Sequence, residues 1–213
     1  SNKVVAAPVI WSRQVVKGQV VRAVVLNSGG ANACTGPQGF ADTHKTAEKV
    51  GELLNVSSGE VVVCSTGLIG ELLPMEKIVA GLEKIAPGLS TESLQECAQA
   101  IMTTDSVPKI AQAALGRVQV AGIAKGAGML APALATMLSV VMTDGLVSEN
   151  ASAIFAKVTD RTYNRIDSDG CTSTNDTVLF MASGASGQSL SDVELEDLLM
   201  NVCGSLSSQL IED

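Results

Sequence analysis

Only five aromatic side chains serve this 213-residue chain: Trp11, Phe40, Phe155, Tyr163 and Phe180. Hydrophobic residues still make up 46% of it, so any core must be built from Val, Leu, Ile and Ala. Charged residues are only 17%, which with that apolar content predicts a folded chain and not a disordered one. The length suits one large domain or two small ones. Single-stranded nucleic acid binders stack bases on several aromatics, so that class is excluded. A net charge of −8 and a pI near 4.7 also argue against nucleic acid or an anionic membrane as partner.

His44 is the sole histidine, which removes metal sites built on paired histidines and leaves any Ser-His-Asp scheme with one candidate. None of the five cysteines (Cys34, Cys64, Cys97, Cys171, Cys203) forms a Cys-x-x-Cys pair. Their odd number predicts reduced, mostly buried thiols and a cytoplasmic protein. No signal peptide is visible at the start, and the missing initiator Met suggests a processed or truncated piece.

Residues 4–10, β-branched and broken by Pro8, predict an edge or early strand. Residues 19–26 (QVVRAVVL) predict a buried strand, 27–36 (NSGGANACTG) a tight loop, 41–54 a helix, and 61–64 a short strand before a turn-rich stretch at 65–70. Two helices are expected at 75–85 and 91–102, and a hairpin at 109–123 turning at Leu115-Gly116. Strands follow at 136–142 and 177–183, with a helix at 148–166 between them. Ser191 and Glu194 form a capping box ahead of a last helix carrying Leu195, Leu198, Leu199, Val202 and Leu206. The sum is an α/β (α+β) protein, a mixed sheet covered by helices, with no repeat and no linker.

Several motifs read more plainly as structure than as sites. Residues 118–142 are long and mostly apolar, but Lys125, three glycines and Pro132 interrupt them, so a buried strand-loop-strand is expected, not a membrane span. Residues 126–131 (GAGMLA) have the outline of a dinucleotide fingerprint, yet Pro132 breaks the helix that such a fingerprint must open. Residues 167–170 (DSDG) lack the spacing and closing Glu of a calcium loop and read as a turn. His44 reads as a surface or satisfied helical histidine. No metal site is expected. What remains is five Gly/Thr-rich turns: 27–36, 64–70 (CSTGLIG), 101–105 (IMTTD), 125–136 (KGAGMLAPALAT) and 167–177 (DSDGCTSTNDT). Small residues let backbone N–H groups approach a ligand, hydroxyls add uncharged contacts, and a lysine can anchor a carboxylate. Together they suit a small polar substrate.

At residues 125–138 (KGAGMLAPALATML) the chain resembles the ornithine acetyltransferase, or glutamate N-acetyltransferase, family of arginine biosynthesis. NSGGANACTG, CSTGLIGELLPM, AIMTTD, the later TDG and STNDT carry the resemblance along the whole chain. The resemblance implies an N-terminal-nucleophile-like sandwich of that type. It implies a precursor that cuts itself at Ala135-Thr136, so that residues 1–135 close a first (α) chain and 136–213 open a second (β) chain of one structural unit. Thr136 would be the nucleophile. The chemistry agrees, because an N-terminal threonine carries its own base, an α-amine with a pKa of about 7.7–8.0. By the same resemblance Thr66 and Gly67 form the oxyanion hole, and Thr103, Lys125 and Thr136 bind substrate. Lys125 is expected to face a cavity that takes the substrate α-carboxylate, since an unpaired buried lysine would be costly. Asn27, Asn32 and Asp169 are candidates for supporting the site.

The implied reaction moves acetyl from N-acetylornithine to glutamate through acetyl-Thr136, without metal or organic cofactor; some members also take acetyl from acetyl-CoA. The implied assembly is two α and two β chains. The family's second chain runs beyond Asp213 and adds a Glu, an Asn and a Ser/Thr to the site, so the site is expected to be incomplete here. Two other readings remain open. In an N-terminal-nucleophile amidohydrolase or aminopeptidase, water replaces glutamate as acceptor. In a non-catalytic small-molecule-binding domain, the Ala135-Thr136 bond stays whole.

Overall fold

The computed structural model describes residues 3–127, 137–167 and 172–213. Its first element is a helix, α1 (Ala7–Val15), where a strand was expected. Pro8 explains the difference: in the first turn of a helix proline loses no hydrogen bond and pre-sets φ. Ala7, Val9, Ser12 and Val15 then share a buried face. A short 3-10 turn leads to β1 (Ala23–Gly30), which starts later than expected and continues through Asn27–Gly30, residues expected to be loop. Helix α2 (Gly36–Leu54) also begins earlier than expected, on Pro37 in its first turn.

β2 (Val61–Leu68) pairs parallel with β1. Its other edge is covered by α1. Ser12 Oγ donates to Val63 O at 2.7 Å and accepts from Val63 N at 3.0 Å, and Trp11 Nε1 donates to Val61 O at 2.9 Å. A helix thus satisfies backbone groups that would otherwise template another strand. Helices α3 (Met75–Ile85) and α4 (Leu94–Ala100) follow.

The second sheet has the order β3-β4-β5-β6, made of β3 (Lys109–Leu115), β4 (Val118–Lys125), β5 (Leu138–Thr143) and β6 (Thr177–Ala182). The expected hairpin is β3-β4, its two-residue turn carried by Gly116 at φ 60°. β4-β5 is antiparallel and β5-β6 parallel, the latter joined through α5 (Ala151–Arg161). The described parts of residues 118–142 are therefore two strands, as expected. Among the described residues no helix is long and apolar enough to cross a membrane. The last helix, α6 (Asp192–Glu212), starts on the expected capping box, Ser191 with Glu194.

Strand alternation arranges these pieces in four layers. On β2, Val61 and Val63 pack with Ala47, Val50 and Leu82 of α2 and α3. Val62 and Cys64 point the other way, to Ile123, Leu138, Val140 and Leu179 of the second sheet. That sheet's far face (Val118, Val120, Ala124, Val141) packs on Leu195, Leu199, Val202 and Leu206 of α6. Gly122 lets the helix close in, since a Cβ there would sit 2.9 Å from Leu206 Cδ1. The result is helix, two-stranded sheet, four-stranded sheet, helix. The expected mixed β-structure layered with helices, a sandwich, is thus what forms, with its strands divided between two sheets. Of the four described thiols, all free, Cys64 and Cys203 are buried and Cys34 and Cys97 exposed, while Cys171 lies outside the described residues.

Leu199 is fully buried under the sheet, so Leu199→Ala should remove about 2–5 kcal/mol of stability. Ser191→Ala, which loses only the cap, should remove about 1 kcal/mol. Urea unfolding of both variants measures this; equal losses would contradict the layer assignment.

Candidate active site

The inter-sheet layer changes character at one end. Along β2 the residues facing the second sheet run Val62, Cys64 and then Thr66; along β4 they run Ile123 and then Lys125. The same alternation that buries the apolar side chains therefore aims Thr66 and Lys125 at each other. Thr66 is 0% and Lys125 1% exposed. Lys125 Nζ donates to Thr66 Oγ1 at 3.3 Å and to Thr103 Oγ1 at 2.7 Å. Three of the sequence-derived site residues, from β2, β4 and the loop after α4, thus meet around one ammonium.

Gly67, the fourth, follows Thr66 where β2 runs against β1. Its φ is +125°, and a Cβ would lie 2.3 Å from Gly29 C and 2.6 Å from Gly29 O. Only glycine permits that approach. Asn27 is tied to the same stretch: its Oδ1 accepts from Ser65 Oγ at 2.6 Å and its Nδ2 donates to Gly30 O at 3.0 Å. Asn32 lies elsewhere, with its side chain donating to Gly39 O and Thr43 Oγ1 and steadying the start of α2. His44 is exposed on α2, 3.5 Å from Glu48 and edge-on to Trp11, apart from this cluster. Ala135, Thr136 and Asp169 lie outside the described residues. Met137, the residue after Thr136, is held by two bonds at the same end of the sandwich. Its N–H donates to Asp176 Oδ1 at 2.8 Å, and its carbonyl accepts from Thr177 N at 3.1 Å.

The sequence reading missed the anion of the site. Lys125 was expected to be unpaired within the chain; instead it lies 3.5 Å from Asp105 Oδ2. The Asp105 carboxylate, its side chain fully buried, also accepts from Lys109 Nζ at 2.9 Å, Gly126 N at 2.6 Å and Thr103 N at 3.1 Å. Lys109, itself fully buried, makes a second ion pair with Asp213, which also accepts from Ser106. The signal available in the sequence was charge matching: Lys109 and Lys125 stand in apolar surroundings and each needs an anion. Asn175 was a further omission. Its Nδ2 donates to Ala31 O at 2.5 Å and to Ser65 O at 2.9 Å, fastening the start of β6 to β2.

These contacts decide the charges. Burial alone would raise the Asp105 pKa, but the Lys109 hydrogen bond, the Gly126 and Thr103 N–H groups and the Lys125 charge outweigh it and hold it below the usual 3.8. Burial lowers the Lys125 pKa from 10.5, and Asp105 partly restores it. The Lys109 and Ser106 hydrogen bonds pull Asp213 down to about 2. No group of three His, Cys, Asp or Glu that could hold a metal exists among the described residues. A cavity of about 700 Å³ lies at the opposite end of the sandwich, lined by Arg22, Gln119, Asp144 and Ser183, and none of the site residues borders it.

Comparison with known proteins gives a consistent result. A model of the ArgJ family matches residues 1–213. The arginine biosynthesis bifunctional protein ArgJ of Streptomyces avermitilis is 55% identical over 100% of this chain and 56% of its own length. That of Thermobifida fusca is 53% identical over the same shares. The chain therefore spans about half the length of the curated relatives it matches. Ornithine acetyltransferase of Mycobacterium tuberculosis, solved with ornithine, superimposes with a TM-score of 0.54 at 46% identity, covering 62% of this chain and 72% of that one. The ArgJ structure of Bacillus halodurans gives 0.51 at 30% identity, covering 64% and 72%.

The depressed pKa of Asp105 has a consequence for stability. Its contribution is present above its unfolded value near 3.8 and is lost as pH falls through the lower folded value. Asp105→Asn should therefore be clearly less stable than the unmodified protein at about pH 7, with the gap narrowing toward about pH 3. Denaturant unfolding at both pH values measures this. A gap that does not change with pH would remove the buried ion pair as its cause.

Proposed function

The chain belongs to the ArgJ family, and from that premise we propose that it forms the catalytic heart of an acetyltransferase that moves acetyl from N2-acetyl-L-ornithine to L-glutamate. The observation that carries the reading is the meeting of Thr66, Thr103 and Lys125 at the end of the inter-sheet layer where β5 begins, two residues after Thr136. Uncharged hydroxyls, one cation and close-approaching glycine backbone suit a small amino-acid derivative.

In this proposal the Ala135-Thr136 bond is hydrolysed first, one water giving the Ala135 carboxylate and the free Thr136 α-amine. Residues 1–135 then close one chain and 136–213 open the next, with both remaining in one structural unit, assembled as two of each. The freed α-amine of Thr136 takes the proton of its own hydroxyl as Oγ attacks the acetyl carbonyl. The Thr66 hydroxyl and the Gly67 N–H face the tetrahedral oxyanion. Collapse expels ornithine, whose amine takes the proton. Glutamate's amine then attacks acetyl-Thr136, the proton returns to the threonine oxygen, and N-acetylglutamate leaves. Acetyl-CoA would enter only as another acetyl donor to Thr136. Thr103 and Lys125 hold the amino-acid part of the substrate end of the site.

Denaturing mass spectrometry of the full-length protein should show two chains, the second starting at Thr136. An intact single chain with full activity would overturn the cleavage step. Incubation with N-acetylornithine should give N-acetylglutamate when glutamate is present; free acetate instead would identify an amidohydrolase, and no turnover a binding domain. Thr66→Ala should lower kcat by about 10²–10³-fold, the loss expected for one oxyanion donor, with little change in KM.

A further inference from the structure

Once the Ala135-Thr136 bond is cut, Thr136 begins a chain, and its one covalent anchor is the peptide bond to Met137 N. Such a nucleophile is placed by whatever holds the residue after it. Met137 is gripped through both backbone groups: its N–H donates to Asp176 Oδ1 at 2.8 Å and its carbonyl accepts from Thr177 N at 3.1 Å. The neighbouring side chain grips the oxyanion side. Asn175 Nδ2 donates to Ser65 O at 2.9 Å, the carbonyl of the peptide unit that carries Thr66 N, and to Ala31 O at 2.5 Å. Two consecutive side chains thus hold the two peptide units attached to Thr136 and Thr66.

We propose that Asn175 and Asp176 act as one clamp that sets the nucleophile Thr136 against the oxyanion groups of Thr66 and Gly67. This rests on the acetyl-transfer reading and deepens its account of alignment. Both are positioning residues, since they act through Ser65 and Met137. The need for a clamp follows from the topology: β2 and β5 lie in different sheets, so no strand ladder sets one against the other. Apolar packing between the sheets is non-directional and fixes their relative sliding poorly. The clamp is itself rigid. Asn175 is 2% exposed, and both donors of its amide are used. Thr174 Oγ1 donates to Asn175 Oδ1 at 2.5 Å, Asn175 N donates to Ser173 Oγ at 3.0 Å, and Ala6 N donates to Thr174 O at 2.9 Å. Asn175 also continues the covering of the β2 edge, which α1 provides at Val61 and Val63. A misplacement of about 1 Å between reacting groups costs on the order of 10²-fold in rate, so a clamp of this kind acts on turnover.

The test uses the full-length protein with N-acetylornithine and glutamate, kcat being counted per cleaved chain by denaturing mass spectrometry. Asn175→Ala and Asp176→Ala should each lower kcat about tenfold or more while KM changes less than about threefold, because the substrate-holding groups stay and only the alignment is lost. Asp176→Asn, whose amide oxygen still accepts from Met137 N, should recover most of the loss seen in Asp176→Ala. In the variant carrying both alanines, kcat should fall less than about threefold below the slower single variant, because one alignment is lost once. Losses that fall on KM with kcat intact would overturn the proposal, and so would losses that multiply in the double variant. An equal loss in Asp176→Asn and Asp176→Ala would trace the effect to the charge of Asp176, which also acts on Lys125, and would overturn the clamp.

A second measurement needs neither cleavage nor activity. In protein labelled with nitrogen isotope at methionine, the Met137 amide is assigned by its absence in Met137→Leu. Its hydrogen exchange should quicken about tenfold or more in Asp176→Ala and far less in Asp176→Asn. Unchanged exchange in Asp176→Ala would remove Asp176 as the grip on Met137. If the unmodified protein transfers no acetyl, the proposed reaction fails, whereas the exchange still decides the Asp176–Met137 link.

Discussion

The Asp105 carboxylate is the constraint on which the working end of this molecule depends. Two lysines, Lys109 and Lys125, are buried within the fold, and such charges are tolerated only when paired and hydrogen-bonded. Asp105 reaches both, and also caps the N–H groups of Thr103 and Gly126. It thereby joins the loop after α4, the start of β3 and the end of β4 into one rigid corner. Removing one partner of such a set leaves the others charged and desolvated, which is why the corner holds together as a unit.

The layers deliver that corner to the right place. Strand alternation gives each sheet one face for helices and one for the other sheet, and the two sheets meet through aliphatic side chains. In a core with few aromatics, β2 and β4 meet through aliphatic and small side chains such as Val62, Cys64 and Ile123. Where Cys64 gives way to Thr66 and Ile123 to Lys125, the apolar seam becomes polar without any change of strand direction. The site is thus the end of the core, lined by the next residues in the same alternating register. Asn175 and Asp176 fasten β6 to β2 and to Met137 at that end.

Much of the fold was legible locally. The capping box at Ser191, the aliphatic spacing of α6, the hairpin turn at Gly116 and the helix at Met75 each follow from signals within a few residues. Residues 4–10 misled because a β-branched run with one proline suits an edge strand and a helix start equally well. Their real task, covering the edge of β2 through Ser12 and Trp11, depends on a strand some fifty residues away. The continuation of β1 through Asn27–Gly30 was hidden for a similar reason, since glycines that permit the close approach at Gly67 look like loop residues when read alone.

By itself, then, the sequence determined the aliphatic core, the mixed α/β character and the family, and its motifs carry the proposal that Thr66, Gly67, Thr103 and Lys125 belong to the site. Motif and periodicity are local properties, and a run such as CSTGLIG keeps its meaning without its neighbours. Only the tertiary structure decided how the strands divide between the two sheets, that α1 guards an edge, and that Lys125 lies between two threonines and Asp105. Those facts are pairings between residues far apart in the chain. A buried charge finds its counter-ion in space, and the sequence records that one is needed without recording which.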